Sequence, residues 1–474
     1  MELADRLDQA TAALRRHFGF AEFRPVQRRV VQSVLAGRDT LAVLPTGGGK
    51  SVCFQVPALT LDGLTVVVSP LISLMQDQVS AACSRGLLAT HLSGDLGSGD
   101  VETALSAAAS GALQLLYTSP ERLPRLAVQL AARRVRVSLL AVDEAHCISE
   151  WGHDFRPAFR RIAEARSTLG SPPVVALSGS ATPDVRQDII GSLGLGARQG
   201  SRPGKVDLHL DSFDRANLAF AVQPVRREPD RIALLRQLLR AERGLAIVYA
   251  PTRRMTETLA LAIRHGGRPA VAYHAGLDRE IRDRRLRSFL RGEVATVVAT
   301  SAFGMGIDKP DVRLVVHWAM PPTPESYYQE AGRAGRDGGP ARCVLLAGRS
   351  DADLPRRQLD VTFPACKLLE RIWRGNTTGV PKAVVLSAER LKEEIVEAGP
   401  AAWKRINCRK KVALRRIAAM EHYARTSRCR RAALIGWFGE RVRECAGCDN
   451  CNGQGVGFRG QGSGSHHRAL TPDP

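Results

Sequence analysis

A glycine-rich turn in the N-terminal part of the chain has the composition of a phosphate-binding loop. Residues 44–51 read Leu-Pro-Thr-Gly-Gly-Gly-Lys-Ser, between a predicted strand and a predicted helix. Glycines let backbone N–H groups face phosphate oxygens, while a lysine reaches the β- and γ-phosphates and a serine binds magnesium. We predict these last two roles for Lys50 and Ser51. The other predicted ATP contacts of the loop are Thr46, Gly47, Gly48 and Gly49. The alternative is a glycine-rich turn without a ligand, since Leu44 replaces the first glycine of the usual pattern.

An acidic pair ends another predicted strand, Ser138–Asp143. Ligands of open parallel sheets bind at the carboxyl ends of the strands, so an acid at this place can hold Mg²⁺ as a Walker-B aspartate does. We predict that Asp143 binds Mg²⁺ together with Ser51, and that Glu144 polarises the attacking water. The alternative is an acidic strand end without a ligand, which the glycine-rich loop upstream disfavours.

Two arginines and a glutamine stand at helical spacing later in the chain. Residues 326–337 read Ser-Tyr-Tyr-Gln-Glu-Ala-Gly-Arg-Ala-Gly-Arg-Asp, and we predict a helix with Gln329, Arg333 and Arg336 on one face. Each glycine inside a helix costs about 1 kcal/mol relative to alanine, so the glycines indicate a close approach to a ligand or a neighbouring domain. Arginines that contact the γ-phosphate raise the hydrolysis rate by roughly 10³–10⁵. The alternative is a solvated basic helix face.

Four cysteines near the C-terminus have the spacing of a metal site. Cys429 is followed by 15 residues, Cys445, two residues, Cys448, two residues and Cys451. Four thiolates at such spacing suit tetrahedral zinc, and a metal is favoured over disulfides in a long chain of cytosolic character. The alternatives are unrelated thiols and an iron–sulfur cluster.

The charge of the chain indicates a polyanionic partner. Its 474 residues include 68 Lys+Arg and 47 Asp+Glu, a net charge of +21. With 44% hydrophobic residues the composition is that of a globular protein, which excludes a wholly disordered chain. There is no signal-like or membrane-spanning apolar run, so we expect a cytoplasmic protein, associated with the bacterial nucleoid, that binds nucleic acid and not a membrane. Residues 401–474 hold 15 Lys+Arg against 5 Asp+Glu. A set of basic residues there is predicted to contact DNA: Arg409, Lys410, Lys411, Arg415 and Arg416.

Short apolar runs alternate with helical stretches up to residue 350, which predicts two α/β domains built on parallel sheets. The candidate strands are Leu41–Leu44, Thr65–Ser69, Gln114–Thr118, Ser138–Asp143, Val174–Ser178, Leu245–Tyr249, Val271–Tyr273, Thr296–Thr300 and Leu314–His317. Residues 191–204, rich in Gly, Arg and Ser, are predicted to link the two domains. Further helices are predicted over 364–374, 387–397 and 411–424. The predicted divisions are 1–200, 201–350, a helical segment 351–412, a zinc-binding module 413–455 and a disordered tail 456–474.

In this order, the motifs resemble the RecQ family of DNA helicases, within superfamily 2, over about residues 10–350 and 415–452. The resemblance implies two tandem RecA-like domains, ATP, Mg²⁺ and Zn²⁺ as cofactors, and a DNA-stimulated ATPase. It further implies 3′–5′ movement on single-stranded DNA and unwinding of tailed or forked duplexes in DNA repair or recombination. Many family members carry a winged helix and a small helical domain after the zinc module, so a short form is expected here.

The resemblance also implies roles for individual residues. Residues 18–27 resemble the adenine-reading segment, in which Arg24 stacks on the base and Gln27 hydrogen-bonds its edge. Gly306 and Asp308 are implied near the ribose. Residues 147–157 resemble the aromatic-rich loop of the family, although Trp151 and Phe155 also fit a buried pair. The residues implied in binding DNA or coupling it to ATP are Ser69, Gln76, Ser119, Trp151, His153, Phe155, Arg156, Ser180, Thr182 and His274.

Other interpretations stay open at this level. Residues 355–412 exceed what the resemblance leads us to expect, and they predict either an inserted winged-helix-like or helix-turn-helix module or a helical elaboration packed on the second domain. A translocase or an RNA helicase of the same superfamily would share most of the motifs. A zinc-dependent DNA-binding protein in which ATP only switches the conformation belongs to a different class.

Overall fold

The computed structural model describes residues 2–45, 47–94, 97–150, 152, 154–196, 205–304 and 309–452. The chain divides into two compact units, one ending at Phe213 and the other beginning at Asp214. Among the helices in the described ranges, none is both long and apolar enough to cross a lipid bilayer.

The described part of the first unit contains one sheet of seven parallel strands. They are β1 Thr40–Val43, β2 Leu64–Val68, β3 Ala89–Leu92, β4 Leu115–Thr118, β5 Val137–Val142, β6 Val174–Ser178 and β7 Asp207–Leu210. The order across the sheet is β3-β4-β2-β5-β6-β1-β7. Strands β1, β2 and β6 are buried along their whole length, as expected for parallel strands covered on both faces.

Helices connect these strands. They are α1 Leu3–Phe18, α2 Pro25–Leu35, α3 Val52–Ala58, α4 Ile72–Ser84, α5 Ser98–Ala109, α6 Leu123–Ala132, α7 Ile162–Thr168 and α8 Pro183–Ser192, with short 3-10 turns at Ala145–Ile148 and Pro157–Arg161. The predicted strands of this unit are confirmed to within one residue at each end. The two edge strands, β3 and β7, escaped prediction because their side chains are only partly buried and lack a continuous apolar run.

Strand β7 corrects the predicted domain boundary. It pairs with β1 in register from Thr40↔Asp207 to Val43↔Leu210, so the first unit continues beyond residue 200 to Phe213. The first two residues of the predicted linker, 191 and 192, belong to the end of α8. Residues 197–204 of the linker lie outside the described part of the chain.

The described part of the second unit contains six parallel strands. They are β8 Leu218–Val225, β9 Leu245–Tyr249, β10 Ala270–Tyr273, β11 Thr296–Ala299, β12 Val312–His317 and β13 Ala341–Gly348. The order is β10-β11-β9-β12-β13-β8, which places β8 at an edge. The helices among them are α9 Glu228–Ala241, α10 Arg253–His265, α11 Arg279–Leu290 and α12 Pro324–Ala331. The sequence predicted β9 to β12 and missed β8 and β13, which are interrupted by Pro224 and Arg342.

A helical region follows in the same unit. It comprises α13 Asp353–Thr362, α14 Cys366–Trp373, α15 Lys382–Ala398, α16 Pro400–Arg425 and α17 Arg430–Gly436. Helices α14, α15 and α16 share a small core that includes Leu369, Ala388 and Ile406. Every backbone position of 351–412 is described and none is a strand, so these residues lack the strands of a wing, whereas a helix-turn-helix module and a helical elaboration both agree with helices alone. The predicted boundary after residue 412 is wrong, because α16 runs through it without a break.

Candidate functional site

The glycine-rich loop connects β1 to α3, and its conformation requires glycine. Gly47 and Gly49 have φ of 83° and 71°, in the left-handed region, which glycine adopts at little cost. A Cβ on Gly48 would lie 2.8 Å from the carbonyl oxygen of Pro45. Ser51 occupies the N-cap position of α3, where helix N–H groups and the helix dipole favour an anion. The geometry therefore suits phosphate, and Thr46 lies outside the described residues.

The two residues predicted to read adenine contact the loop itself. Buried Gln27 donates from Nε2 to the carbonyl oxygens of Gly48 at 2.9 Å and Gly49 at 3.3 Å. Arg24 donates from Nη1 to the carbonyl oxygen of Gly47 at 2.7 Å, and its N–H donates to Gln27 Oε1 at 3.0 Å. Helix α2 thereby holds three consecutive loop carbonyls, and the contact with adenine stays a prediction.

The acidic pair at the end of β5 lies beside the lysine of the loop. Lys50 Nζ is 3.1 Å from Glu144 Oε1, and a Cβ on Gly179 would come within 3.0 Å of the same nitrogen. Glu144 has φ of 47°, a conformation that costs free energy in a non-glycine residue and clusters at functional sites. The phosphate loop, the acidic pair and the segment around Gly179 are far apart along the chain, and they meet at the ammonium group of Lys50.

Asp143 is almost completely buried and has a partner that the sequence reasoning missed. Its Oδ2 accepts from Gln78 Nε2 at 3.0 Å, and its Oδ1 accepts from the Glu144 N–H at 2.9 Å. Burial, followed by the charge of Glu144, raises the pKa of Asp143, whereas Lys50 and the Gln78 hydrogen bond lower it. The signal for Gln78 was its position in the segment after β2, close to that strand's carboxyl end.

A polar chain leads from Glu144 to the predicted coupling segment. Glu144 Oε2 is 3.3 Å from His146 Nδ1, which is 3.2 Å from Ser178 Oγ. The same hydroxyl accepts from the N–H of Ser180 at 3.3 Å. Thr182 is the N-cap residue of α8. His146 and Ser178 are therefore further candidate site residues, and the adjacency of His146 to the acidic pair was the sequence signal for it.

The predicted DNA-binding residues of the first unit lie on several segments. Ser69 is buried after β2, Gln76 is half-buried on α4, and Ser119 is half-buried after β4. Arg156 donates from Nη1 to the carbonyl oxygen of Pro70 at 2.6 Å, which joins the aromatic-rich loop to the segment of Ser69. Trp151 and His153 lie outside the described residues.

Phe155 is half-buried in the aromatic-rich loop, and the guanidinium of Arg160 lies 5.4 Å from its ring centre. The same arginine pairs with buried Glu150 at 2.6 Å. In the second unit His274 is 4% exposed, and its Nε2 is 3.1 Å from Glu257 Oε1. A contact between His274 and DNA would need this ring to reach the surface.

The arginine segment departs from the predicted helix. Helix α12 ends at Ala331, and Arg333 and Arg336 lie on the turns that follow, so the prediction of one helix face is wrong. The physical reason is Gly335, whose φ is 55° and whose N–H donates to the Val312 carbonyl at 2.8 Å. A Cβ there would lie 2.5 Å from Asn217 Nδ2. The glycine lets the turn approach its own domain, whereas the sequence indicated an approach to a ligand or a neighbouring domain.

The three residues of this segment are placed differently. Arg333 is 9% exposed. Burial raises the pKa of the Tyr249 hydroxyl, and the charge of Arg333 lowers it. A Cβ on Gly304 would lie 2.9 Å from Arg333 Nη2, so a glycine makes room for the guanidinium. Gln329 and Arg336 are half-buried. Gly306 and Asp308 are outside the described residues.

The four cysteines converge as predicted. The Sγ atoms of Cys429, Cys445, Cys448 and Cys451 lie within 4.8 Å of one another. Tetrahedral zinc with Zn–S distances of about 2.3 Å needs sulfurs about 3.8 Å apart, so the cluster fits zinc after small adjustments. Hydrogen bonds from Cys429 and Cys445 hold the pKa of Cys448 well below its usual range, which favours the thiolate. Cys408 is not part of the cluster.

The cysteine knuckle, residues 445–451, covers the edge of the second sheet. Phe220 of β8 donates to the Gly447 carbonyl at 3.2 Å and accepts from the Asp449 N–H at 3.1 Å. Asp449 Oδ2 accepts from the Val222 N–H at 2.8 Å, and its Oδ1 accepts from Arg430 Nε at 2.5 Å. An uncovered edge strand invites pairing with other chains, and the knuckle removes that risk at β8.

Most of the basic residues predicted to contact DNA on α16 have partners within the unit. Buried Arg416 pairs with Glu325 at 3.1 Å, and Arg409 pairs with Glu394 at 2.5 Å. Lys410 donates to a backbone carbonyl at 2.9 Å, and the guanidinium of Arg415 lies 5.7 Å from the Trp437 ring centre. Lys411 is exposed.

Comparison with known proteins gives three family matches in chain order. Residues 24–189 match the DEAD/DEAH box helicase model, 230–338 the helicase conserved C-terminal domain and 390–452 the RecQ zinc-binding model. The chain is 36% identical to the ATP-dependent DNA helicase RecQ of Pasteurella multocida over 92% of its own length and 61% of the relative's. For the protein of that name from Bacillus subtilis, identity is 35% over 94% of this chain and 67% of the relative. The chain thus spans about two thirds of these relatives.

Solved structures support the fold. The DUF1998 helicase MrfA bound to DNA superposes with a TM-score of 0.59 and 21% identity, over 74% of this chain and 49% of that one. The Mycobacterium smegmatis helicase Lhr, bound to single-stranded DNA and AMP-PNP, gives 0.57 and 22%, over 88% and 58%. The two parallel sheets are therefore those of tandem RecA-like domains, followed by helices and a cysteine cluster of the zinc-binding type.

Proposed function

Because the chain belongs to the RecQ family of DNA helicases, we propose that it couples ATP hydrolysis to 3′–5′ movement along single-stranded DNA and to duplex unwinding. The observation that carries this proposal is the meeting of Lys50, Glu144 and Asp143 at the carboxyl ends of the first sheet. A lysine on a phosphate-binding loop beside two carboxylates is the arrangement of catalytic groups that NTP hydrolases use.

The roles of the residues follow from their chemistry. The loop N–H groups and Lys50 bind the ATP phosphates, while the Ser51 hydroxyl and the Asp143 carboxylate offer the hard oxygen ligands that Mg²⁺ prefers. The bound ion would neutralise charge on the phosphates. Glu144 accepts a proton from the attacking water, and its contact with His146 connects it to the coupling segment of Ser180. Gln329, Arg333 and Arg336 are assigned to the γ-phosphate and its transition state.

The partner is DNA in this proposal, either single-stranded or as a tailed or forked duplex, and the setting is repair or recombination on the chromosome in the cytoplasm. Phe155 supplies a stacking surface in the first unit. The segments of Gln76 and Ser119 offer hydroxyls and amides to the DNA backbone. The relatives of this family named above are ATP-dependent DNA helicases, and their names support the same activity here.

The Lys50→Ala variant tests the core of this proposal. ATP hydrolysis is measured with and without single-stranded DNA, and unwinding is followed on a duplex with a 3′ tail. Lys205→Ala, at an exposed lysine of the same unit, is the matched control. We expect DNA-stimulated hydrolysis and unwinding in the wild type and the control, and neither in Lys50→Ala. Hydrolysis that survives in Lys50→Ala would refute the assignment, and wild-type hydrolysis without unwinding would identify a translocase or an annealing factor.

A further inference from the structure

Four buried rings form a continuous row in the second unit, from β9 to α16. Tyr249 stacks on His317 of β12 with ring centres 5.3 Å apart and an interplanar angle of 18°. His317 packs on Tyr327 of α12 at 4.7 Å, and Tyr327 packs on Tyr423 of α16 at 5.0 Å. None of the four residues is more than 4% exposed. We refer to these four residues as the aromatic row.

One end of the row contacts the segment of the ATP-directed arginines. The Tyr249 hydroxyl donates to the Phe303 carbonyl at 2.8 Å, and the next residue, Gly304, lies against Arg333, whose Nη2 would be 2.9 Å from a Cβ at that glycine. The next ring, His317, pairs through Nε2 with Glu330 Oε2 at 2.9 Å, three residues before Arg333. Two members of the row therefore hold the backbone segment against which Arg333 lies and the helix end from which its turn departs.

The other end of the row is a pair of buried hydroxyls. Tyr423 Oη donates to Tyr327 Oη at 3.0 Å, and burial raises the pKa of both phenols above their usual range. A buried hydroxyl costs free energy when it lacks a partner, and phenylalanine would fill the same space without that requirement. The two hydroxyls therefore fix how α12 packs against α16, in addition to the space that the two rings fill.

A polar route joins the same two regions. Arg431, which follows the first cysteine ligand and is fully buried, donates to the Asp214 carboxylate and, at 3.0 Å, to the Arg215 carbonyl. Arg215 in turn donates to the carbonyls of Gly332, at 2.7 Å, and Gly335. The backbone of the arginine turn is thus held from the zinc module, while the row holds the segment against which the Arg333 side chain lies.

We propose that Tyr423 is a positioning residue for Arg333, and that helix α16 sets the placement of this arginine for ATP hydrolysis through the aromatic row. This inference rests on the proposed ATPase function. Tyr423 touches no reacting group and acts through Tyr327, His317 and Tyr249. It gives the C-terminal helical region a role in catalysis in addition to any contact with DNA.

The test is a cycle of hydroxyl deletions. In Tyr423→Phe the Tyr327 hydroxyl loses its partner, and we expect kcat for ATP hydrolysis to fall about tenfold, the size expected for one unsatisfied buried hydroxyl. The KM for ATP and the affinity for ADP should stay within about twofold. The double variant Tyr327→Phe/Tyr423→Phe removes both hydroxyls and should recover most of kcat, since neither is then left unsatisfied.

Tyr328→Phe is the matched control, because this residue lies buried on the same helix and its ring packs on Phe438. Its kcat should be unchanged, and all variants should retain zinc. Hydrogen exchange of the backbone amides of residues 333–338 gives a readout that does not need hydrolysis. It should quicken in Tyr423→Phe and not in Tyr328→Phe.

The outcomes separate the two proposals. A wild type without ATPase activity refutes the proposed function, and the exchange data then still decide whether Tyr423 holds the turn. A Tyr423→Phe variant that melts earlier but keeps its kcat and its exchange rates shows that the residue only stabilises the core, which overturns the inference. An equal loss of kcat in Tyr328→Phe overturns it as well.

Discussion

Removing zinc should weaken the second unit by uncovering β8. The perturbation is Cys448→Ala or chelation of the wild type, because structural zinc supplies much of the folding free energy of such small modules. Three hydrogen bonds join the knuckle to Phe220 and Val222. At about 0.5–1.5 kcal/mol each, their loss amounts to about 2–4 kcal/mol. For a unit of this size each kcal/mol lowers the melting temperature by about 2–4 °C, so a fall of about 5–15 °C is expected.

The assay is a thermal melt of the full chain, with zinc quantified on the same samples. Cys408→Ala is the matched control, since this thiol lies outside the cluster, and it should retain one zinc per chain and the wild-type melting temperature. Asp449→Asn perturbs the knuckle without removing a ligand, because it weakens the bonds that the carboxylate accepts from Val222 and Arg430. A chain that has demonstrably lost its zinc and melts as before would refute the argument that the knuckle stabilises the sheet edge.

Three other outcomes can be measured on single variants. Gln78→Leu removes a hydrogen bond that lowers the pKa of Asp143, so the acid limb of the pH profile of kcat/KM should move to higher pH; an unmoved limb would exclude Asp143 as the titrating group. Asp39→Ala leaves the buried guanidinium of Arg166 without its bidentate partner and should cost about 3–5 kcal/mol of stability in a denaturant titration, whereas a loss under 1 kcal/mol would contradict it. Lys411→Gln should reduce the salt slope of single-stranded DNA binding by about 0.7, and an unchanged slope would exclude a phosphate contact.

The strands that sequence could predict are those with continuous apolar runs, most of which lie in the sheet interior. Strands β3, β7 and β8 border the sheets, where one side of the strand lacks a neighbouring strand, and their residues alternate or include polar positions. For β8 the missing neighbour is supplied more than 200 residues later by the knuckle around Asp449. No local sequence pattern indicates a partner so distant along the chain. Strand β8 could therefore not be predicted without the knuckle that pairs with it.

The chemistry of the ATP site in the first unit was predictable because its residues have fixed spacing to strand ends. The hydrogen-bond partners of those residues were not predictable. The sequence placed Asp143 at the carboxyl end of a strand, and the structure adds Gln78 from helix α4, which follows the neighbouring strand. For Gln27 the amide that was predicted to meet adenine binds loop carbonyls. Helical spacing was misleading for residues 332–336, since periodicity takes no account of the left-handed conformation that Gly335 adopts in the turn.

The residues that contact DNA are the hardest feature to predict from the sequence, because the prediction rests on charge alone. The excess of basic residues after position 400 indicated a DNA surface on α16, yet Arg416 is buried against Glu325 and Arg409 is paired with Glu394. A cation in a buried pair contributes to folding, and releasing it to a phosphate would leave a carboxylate buried and unpaired. Exposed Lys411 bears no such cost, and it is the residue of this group whose neutralisation should change DNA binding without changing stability. The net charge therefore indicates which class of partner the protein binds. Whether a given basic side chain can contact that partner depends on whether it is already paired within the fold.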